Sequence, residues 1–340
     1  VTEPRRATLE QTIVNAWYAG RLWLLLLLPL SLLFRAIVSL RRFVLQSLYQ
    51  GRPFSAPVAI VGNISVGGSG KTPLIIALVR ALAAKGYSVA VISRGYGGSA
   101  MSYPLEVQLD TAVEYCGDEP LLIKHKLADV DCAVVVDPQR KRAVEYALER
   151  CDCDLVLCDD GLQHYRLHRD IEIAVVDGSR GFGNKLCLPA GPLREPVSRL
   201  KSADFVVVNG DHRLGTSITI DANFYIKPIL FRNLGTGQVI EAHKWSESKI
   251  VHAVAAIGNP QRFADTLQTL GMNVILLGFD DHKSMALSDL CFEDDYPVII
   301  TAKDAVKFTE NDLNHVWVLE VDADIPPEFV ANVLAVVGLS

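Results

Sequence analysis

Residues 58–73 constrain the fold more than any other stretch of the chain. They read VAIVGNISVGGSGKTP: a short apolar run, a turn with three glycines, and a Lys-Thr pair that opens a second apolar run ending near Gly86. A buried strand that runs through a glycine-rich turn into a helix lines up successive backbone N–H groups around one point, and the helix dipole adds partial positive charge there. Pro73 falls in the first helical turn, where a missing N–H costs little. The turn is therefore expected to cradle phosphate through Ser65, Val66, Gly67, Gly68, Ser69, Gly70, Lys71 and Thr72, with Gly67, Gly68 and Gly70 allowing close approach. Lys71 is expected to reach the β- and γ-phosphates of a nucleotide and the Thr72 hydroxyl to ligate Mg²⁺. The strict spacing GxxxxGK[ST] places glycine at position 65, where this chain has serine. SVGGSGKT is closer to a GGxGK[ST] variant loop, with Val66 replacing the extra lysine of partition-type ATPases.

A second strand end supports the nucleotide reading. Residues 155–160 read LVLCDD, an apolar strand ending in two carboxylates. Asp159 or Asp160 can hold Mg²⁺ directly or through water. Around these two elements, short β-branched runs at 88–92, 133–136, 171–176 and 205–208 alternate with helical stretches at 73–85 and 141–150. That alternation predicts an α/β fold of the P-loop NTPase type, a mostly parallel sheet with helices on both faces. A second, smaller α/β lobe is expected from residue 216 to 340, with strands at 250–257, 274–277, 298–301 and 316–320 and a helix at 260–270. Residues 51–215 would form the first domain and residues 1–50 a separate head, and a cleft between two lobes is a common place for a ligand.

The head differs in character. Half of the 340 residues are hydrophobic and the net charge is −6, which excludes a disordered chain and argues against one that coats nucleic acid. Residues 1–52 nevertheless hold seven Arg and two Glu. Residues 22–34, LWLLLLLPLSLLF, carry no charge; Trp17, Tyr18 and Trp23 crowd one end, and Arg41 and Arg42 follow the other. The uncharged run is shorter than the roughly 20 residues of a spanning helix, and Pro29 is expected to kink it. No small-x-small cleavage site follows, so a signal peptide is excluded. A membrane-anchoring helix, spanning or lying in one leaflet, is preferred over a buried core helix. Seven cysteines without a CxxC pair read as buried free thiols in a reducing compartment.

Further motifs extend over nearly the whole chain: GNISVGGSGKTP (62–73), SRGYGG (93–98), GDEP (117–120), DDGLQHYRLHRD (159–170), LPAGPLREP (188–196) and FDDHK (279–283). Together they resemble the tetraacyldisaccharide 4'-kinase family, the lipid A 4'-kinases of Gram-negative bacteria, which also place Ser or Thr where Ser65 stands. The resemblance implies transfer of the ATP γ-phosphoryl group to the 4'-hydroxyl of the disaccharide 1-phosphate precursor of lipid A, giving lipid IVA and ADP. ATP and Mg²⁺ are the implied cofactors. The implied partners are the lipid acceptor and the cytoplasmic face of the inner membrane, with no nucleic acid and no obligate protein partner. The chain departs from the family pattern at Lys185 after Asn184, at Ala302 in TAKD (301–304) and in DPQR (137–140).

Site roles follow the same resemblance. The Asp matching Asp118 is the expected base, assisted by the His matching His282, and Glu119 joins Thr72, Asp159 and Asp160 as a metal ligand. Taken without the family, Asp118 and Glu119 read as a solvated turn and His282 as a surface residue. Arg94 and Arg194 suit phosphate oxygens of ATP or of the acceptor. Gln163, His164 and Tyr165 follow the acidic strand and are expected to line the site. The rival readings are a partition- or metallochaperone-type ATPase switch and a membrane adaptor with a vestigial loop. Val66 and the apolar head count against the first; intact Gly70, Lys71, Thr72 and the Asp159–Asp160 pair count against the second.

Overall fold

The structure is a computed structural model and describes residues 9–48, 53–211, 218–281, 283, 285–308 and 313–339. The chain enters through α1 (Leu9–Ala19), a 3-10 turn (Leu22–Leu27) and α2 (Leu28–Leu48). β1 (Val58–Gly62), buried at every residue, then runs through the glycine turn into α3 (Lys71–Ala83). After it come β2 (Val89–Ser93), β3 (Leu105–Glu106), α4 (Val113–Cys116) and α5 (Asp118–Lys126). β4 (Cys132–Val136), α6 (Arg140–Arg150), β5 (Leu155–Asp159), β6 (Ile171–Asp177) and β7 (Phe205–Asn209) complete the first half. Its strands lie in the order β7-β6-β1-β5-β2-β4-β3 and are parallel except at β3.

The two faces of β1 explain its continuous apolar sequence. Ala59 and Val61 pack with Leu74, Ile75 and Leu78 of α3, whereas Val58 and Ile60 pack with Ala143, Val144 and Ala147 of α6 on the opposite face. A parallel strand covered on both faces has no polar side. Because the strands are parallel, the turns after β1, β2, β4, β5, β6 and β7 all emerge at one edge, where ligands of such sheets bind.

The second half contains β8 (Ala222–Asn233), β9 (Val239–Glu241), β10 (Ile250–Ala255), α7 (Pro260–Thr269) and β11 (Asn273–Gly278). β12 (Val298–Thr301), α8 (Ala302–Ala305), β13 (Val316–Asp324) and α9 (Pro327–Val337) follow. It has its own core around Phe231, Val251, Phe263, Leu267 and Trp317. Its sheet is nevertheless continuous with the first, because β8 belongs to both. Residues 222–224 pair in parallel with β7, and residues 225–233 pair antiparallel with β13. The last helix also crosses back: Phe329, Val330 and Val333 of α9 pack in the cluster that holds Ile75 and Phe205, and the Phe205 and Phe329 rings meet edge-on at 5.5 Å.

At the N-terminus Pro29, where a kink is expected, is the second residue of α2 and lies where the 3-10 turn Leu22–Leu27 passes into the α-helix, with Leu28 N donating to Leu25 O. α2 is not a core helix. Leu32, Leu33, Ile37, Leu40 and Phe43 are each more than half exposed, and Leu22–Leu48 is long and apolar enough to cross a membrane. One side is fastened to the body: buried Ser31 donates through Oγ to the Cys187 carbonyl at 2.7 Å, and Arg42 Nη2 donates to Ser202 Oγ at 2.8 Å. The cysteines are all free. Cys116, Cys132, Cys153, Cys158 and Cys187 are buried as expected, but Cys151 is half-buried and Cys291 is exposed.

A buried ionic network lies under the ligand edge. Arg199, whose side chain is 1% exposed, donates through Nη2 to both Glu172 oxygens at 2.7 Å, and Arg169 Nη1 reaches Glu172 Oε1 at 2.9 Å. Removing one partner of such a pair strands a charge away from water, at a cost of about 3–5 kcal/mol. Glu172→Ala is therefore expected to lower stability by about that amount in denaturant titration. Glu172→Leu combined with Arg199→Met should lose less than Glu172→Ala alone.

Candidate active site

The glycine turn closes at the edge of the sheet, with Gly67 and Gly70 at φ 94° and 91°. Its shape is fixed from outside. Asn63 Nδ2 donates to the Gly67 carbonyl at 3.3 Å, and Asn209 Nδ2, from the end of β7, donates to the Ser69 carbonyl at 3.1 Å. The 192–194 segment runs beside it: Val66 N donates to Pro192 O at 2.8 Å, Arg194 N donates to Ile64 O at 2.7 Å, and Ser65 bridges to Leu193. From the second half, Gly258 lies against Gly67 and Gly68 so closely that a Cβ there would sit 2.0 Å from Gly68 N. Gly68 is exposed, Ser69 is buried, and Lys71 and Thr72 form the first turn of α3.

Lys71 Nζ donates to Asn63 Oδ1 at 3.3 Å and lies 3.3 Å from Asp160 Oδ1. Arg194 Nη1 reaches Asp160 Oδ2 at 2.9 Å. Burial disfavours the Asp160 charge, but Lys71 and Arg194 outweigh it and hold its carboxyl below the usual range. Its neighbour behaves oppositely: burial pushes Asp159 up, and the charge of Glu119 adds to the shift. Asp159 Oδ1 is buried without a hydrogen-bond partner. An orphaned carboxylate oxygen is costly and suits a cation. Among the described residues no three His, Cys, Asp or Glu side chains form a ready-made cage. Mg²⁺ does not need one, since it commonly takes one or two carboxylates together with phosphate oxygens and waters. The residues present fit it.

Asp118 is not the solvated turn that the sequence alone suggests. It is the first residue of α5, 5% exposed, and its Oδ1 accepts from Glu119 N at 2.9 Å. Two lysines from the second half close over it. Lys303 Nζ is 2.9 Å from Glu119 Oε1, 3.2 Å from Asp281 Oδ1 and 4.0 Å from Asp118 Oδ2. Lys307 Nζ is 3.0 Å from Asp304 Oδ1 and 3.7 Å from Asp118 Oδ2. Burial opposes the Lys303 charge, but Glu119, Asp281 and Asp118 overcome it and raise its pKa above the ordinary lysine value. His282 lies outside the described residues; Asp281, beside it, reaches this cluster.

The other expected contacts divide. Arg94 is exposed after β2. His164 is half-buried, and burial together with Arg140, Arg94, Arg169 and Arg41 pushes it down to about 4, so it is neutral near pH 7. Gln163 turns inward: its Nε2 donates to Asn63 O at 3.1 Å and to Glu195 Oε2 at 2.9 Å, which braces the loop. Tyr165 is buried and donates to Glu195. The sequence reading missed Asn63, Asn209, Gly258 and Lys303. Asn63 and Lys303 lie inside quoted motifs, GNISVGGSGKTP and TAKD, but neither spacing nor composition marks them.

Similarity to known proteins runs over the whole of this arrangement. Residues 23–338 match the family described as tetraacyldisaccharide-1-P 4'-kinase, LpxK. A tetraacyldisaccharide 4'-kinase of Hahella chejuensis is 43% identical over 327 residues, 94% of this chain and 95% of that protein. One of Ectopseudomonas mendocina is 43% identical over 320 residues, 94% of each. Among solved structures, LpxK from Aquifex aeolicus in complex with ATP superimposes with a TM-score of 0.75 at 26% identity, covering 93% of this chain and 99% of that one. With its glycine turn, its acidic strand end and its buried Asp118 all within the matched span, the chain belongs to the tetraacyldisaccharide-1-P 4'-kinase family.

Proposed function

We propose that this chain transfers the γ-phosphoryl group of ATP to the 4'-hydroxyl of the tetraacyldisaccharide 1-phosphate precursor of lipid A, at the cytoplasmic face of the inner membrane. Besides family membership, one observation supports this above others: the turn after β2 packs on the backbone of residues 116–117, so buried Asp118 stands at the sheet edge where the phosphate turn after β1 closes. A phosphate site and a buried carboxylate suited to an acceptor hydroxyl thus share one edge.

The backbone N–H groups of residues 67–72 and Lys71 Nζ hold phosphate oxygens. Thr72, Asp159, Asp160 and Glu119 would hold Mg²⁺, which when bound neutralises charge on those oxygens. Asp160, ionised by its two cations, keeps Lys71 and Arg194 pointing into the site. In the transfer, a P–O bond forms to the sugar 4'-oxygen, the bond to the ADP leaving oxygen breaks, and the hydroxyl proton passes to Asp118. Lys303 and Lys307 favour the ionised form of that carboxyl. A carboxylate suffices as acceptor for a loose transition state in which the proton leaves late. His282 shares the proton and orients Asp118. Arg94 and Arg194 neutralise phosphate oxygens of ATP or of the acceptor, and neutral His164 contributes a polar contact without charge. The exposed apolar side of α2, with Arg41 and Arg42 at its far end, seats the chain in the bilayer that holds the acceptor's acyl chains.

Lys71→Ala is expected to lower turnover about a thousandfold, through lost charge stabilisation and positioning; mass detection of one added phosphate on the lipid acceptor measures it, and near-normal turnover would place the nucleotide elsewhere. Asp118→Ala and His282→Ala should each lower kcat far more than KM for ATP. Their double variant should be little worse than the more damaging single one, because groups acting as a unit are not additive; fully multiplicative losses would rule out the pair. Substituting Leu32, Leu33, Ile37 and Leu40 together by Ser should shift the protein from the membrane to the soluble fraction on sedimentation, since those side chains supply the membrane affinity.

A further inference from the structure

We infer that α1, ahead of the membrane helix, is a positioning element of the active site: Trp17 seats Val66 of the phosphate turn, and Tyr18 holds Arg180 against Gly258, which presses on that turn from the second half. This rests on the proposed ATP-dependent transfer and gives the N-terminal head a task in it that is separate from attachment to the bilayer.

Of the three aromatic residues at the head of the apolar run, Trp23 is exposed, whereas Trp17 and Tyr18 pack on protein. Trp17 is 7% exposed and forms a small buried cluster with Ala16 and Leu24, against which Val66 packs. The cluster is pinned to the first half through the ring and the carbonyl of one residue: Trp17 Nε1 donates to Pro189 O at 3.0 Å, and Trp17 O accepts from Asn184 N at 3.1 Å. Val66 is thus gripped twice, its side chain by α1 and its N–H by Pro192 O at 2.8 Å. Partition-type ATPases carry a lysine at this place in the turn. A valine can be held there by apolar contact, whereas an ammonium would leave the cluster to stay hydrated.

Tyr18 acts through the second half. Its ring centroid lies 5.1 Å from the Arg180 guanidinium carbon, within reach of a cation–π contact. Arg180 Nη1 donates to Gly258 O at 2.6 Å. Gly258 in turn lies on the glycines of the turn: a Cβ on Gly67 would sit 3.5 Å from Gly258 O and 3.7 Å from Arg180 Nη1. Ring, guanidinium, carbonyl and turn therefore form one contiguous stack. α1 meets the second half again near its start, where Gln11 Nε2 donates to Gly278 O at 3.4 Å. One helix thus touches both of the bodies that shape the turn.

A turn of three glycines loses conformational freedom when phosphate binds, and contacts that remove that freedom beforehand strengthen binding. By linkage, phosphate bound to the turn must also tighten the contacts that shape it. A helix that served only as an anchor would be indifferent to nucleotide.

Titration of the full-length protein with ADP in detergent micelles, where no bilayer is present, tests this without acceptor. Tyr18→Leu, which removes the π-face, is expected to bind ADP about tenfold more weakly, with no change in the fraction that sediments with membranes. Tyr18→Phe keeps the ring and should bind ADP as tightly as the unsubstituted protein. In turnover, Tyr18→Leu should raise KM for ATP by the same factor and change kcat less. ADP binding unchanged in Tyr18→Leu, or weakened equally in Tyr18→Phe, overturns the assignment. Should Tyr18→Leu fail to fold, hydrogen exchange of the unsubstituted protein decides. Slower exchange over residues 9–19 on adding ADP supports the assignment, and exchange there that ADP leaves unmoved overturns it. Failure of the kinase reading shows separately, as absent lipid phosphorylation by an unsubstituted protein that binds ADP more tightly than Tyr18→Leu does.

Discussion

A turn built from glycine cannot hold its own shape. Gly67, Gly68 and Gly70 give the backbone freedom to wrap around phosphate, and the same freedom must be removed before folding can make a binding site. The removal is done by neighbours. Asn63 and Asn209 clamp two of its carbonyls, residues 192–194 run alongside it, and Gly258 presses on it from the second half. Gln163 ties the strand end below to Glu195, next to the buried Glu172–Arg199 pair. Preorganisation at the edge thus continues downward into charges that water does not reach.

The same logic governs Asp118. A lone buried carboxylate would be driven to its neutral form, which accepts no proton from a hydroxyl. Lys303 and Lys307 bring opposite charge to Asp118 from the other side of the edge, and Lys303 also meets Glu119 and Asp281. One ammonium therefore ties α5 of the first half to α8 and to the segment before His282. The positions of the proposed base and of the proposed metal ligand beside it depend on the two halves being together.

What could be read in the sequence follows from distance along the chain. The strand, turn and helix over 58–83 are local, so their spacing announced both structure and chemistry, and Asp160 meets Lys71 because β5 pairs directly with β1. Lys303 contacts Glu119 across 184 positions; no periodicity encodes such a meeting. β8 escaped notice for a different reason. Only Phe224, Phe231 and Asn233 are buried, and residues 225–230 alternate between exposed and half-buried with Lys227 and Pro228 in the middle, so neither a buried-strand pattern nor a clean apolar face results. Without β8 the two halves read as separate lobes. Pro29 stands where the helix type changes, from 3-10 over Leu22–Leu27 to α from Leu28 on, a change that composition does not announce.

β8 has a mechanical consequence. Two bodies joined by a slack loop swing freely, and the energy of swinging is set only by what they touch. Here the joint is one uninterrupted strand that is hydrogen-bonded to β7 before residue 225 and to β13 after it. The angle between the halves is therefore fixed by hydrogen-bonded ladders on the strand itself, and the irregularity opposite Glu320 and Val321 is where that ladder is locally disrupted and the strand turns more sharply.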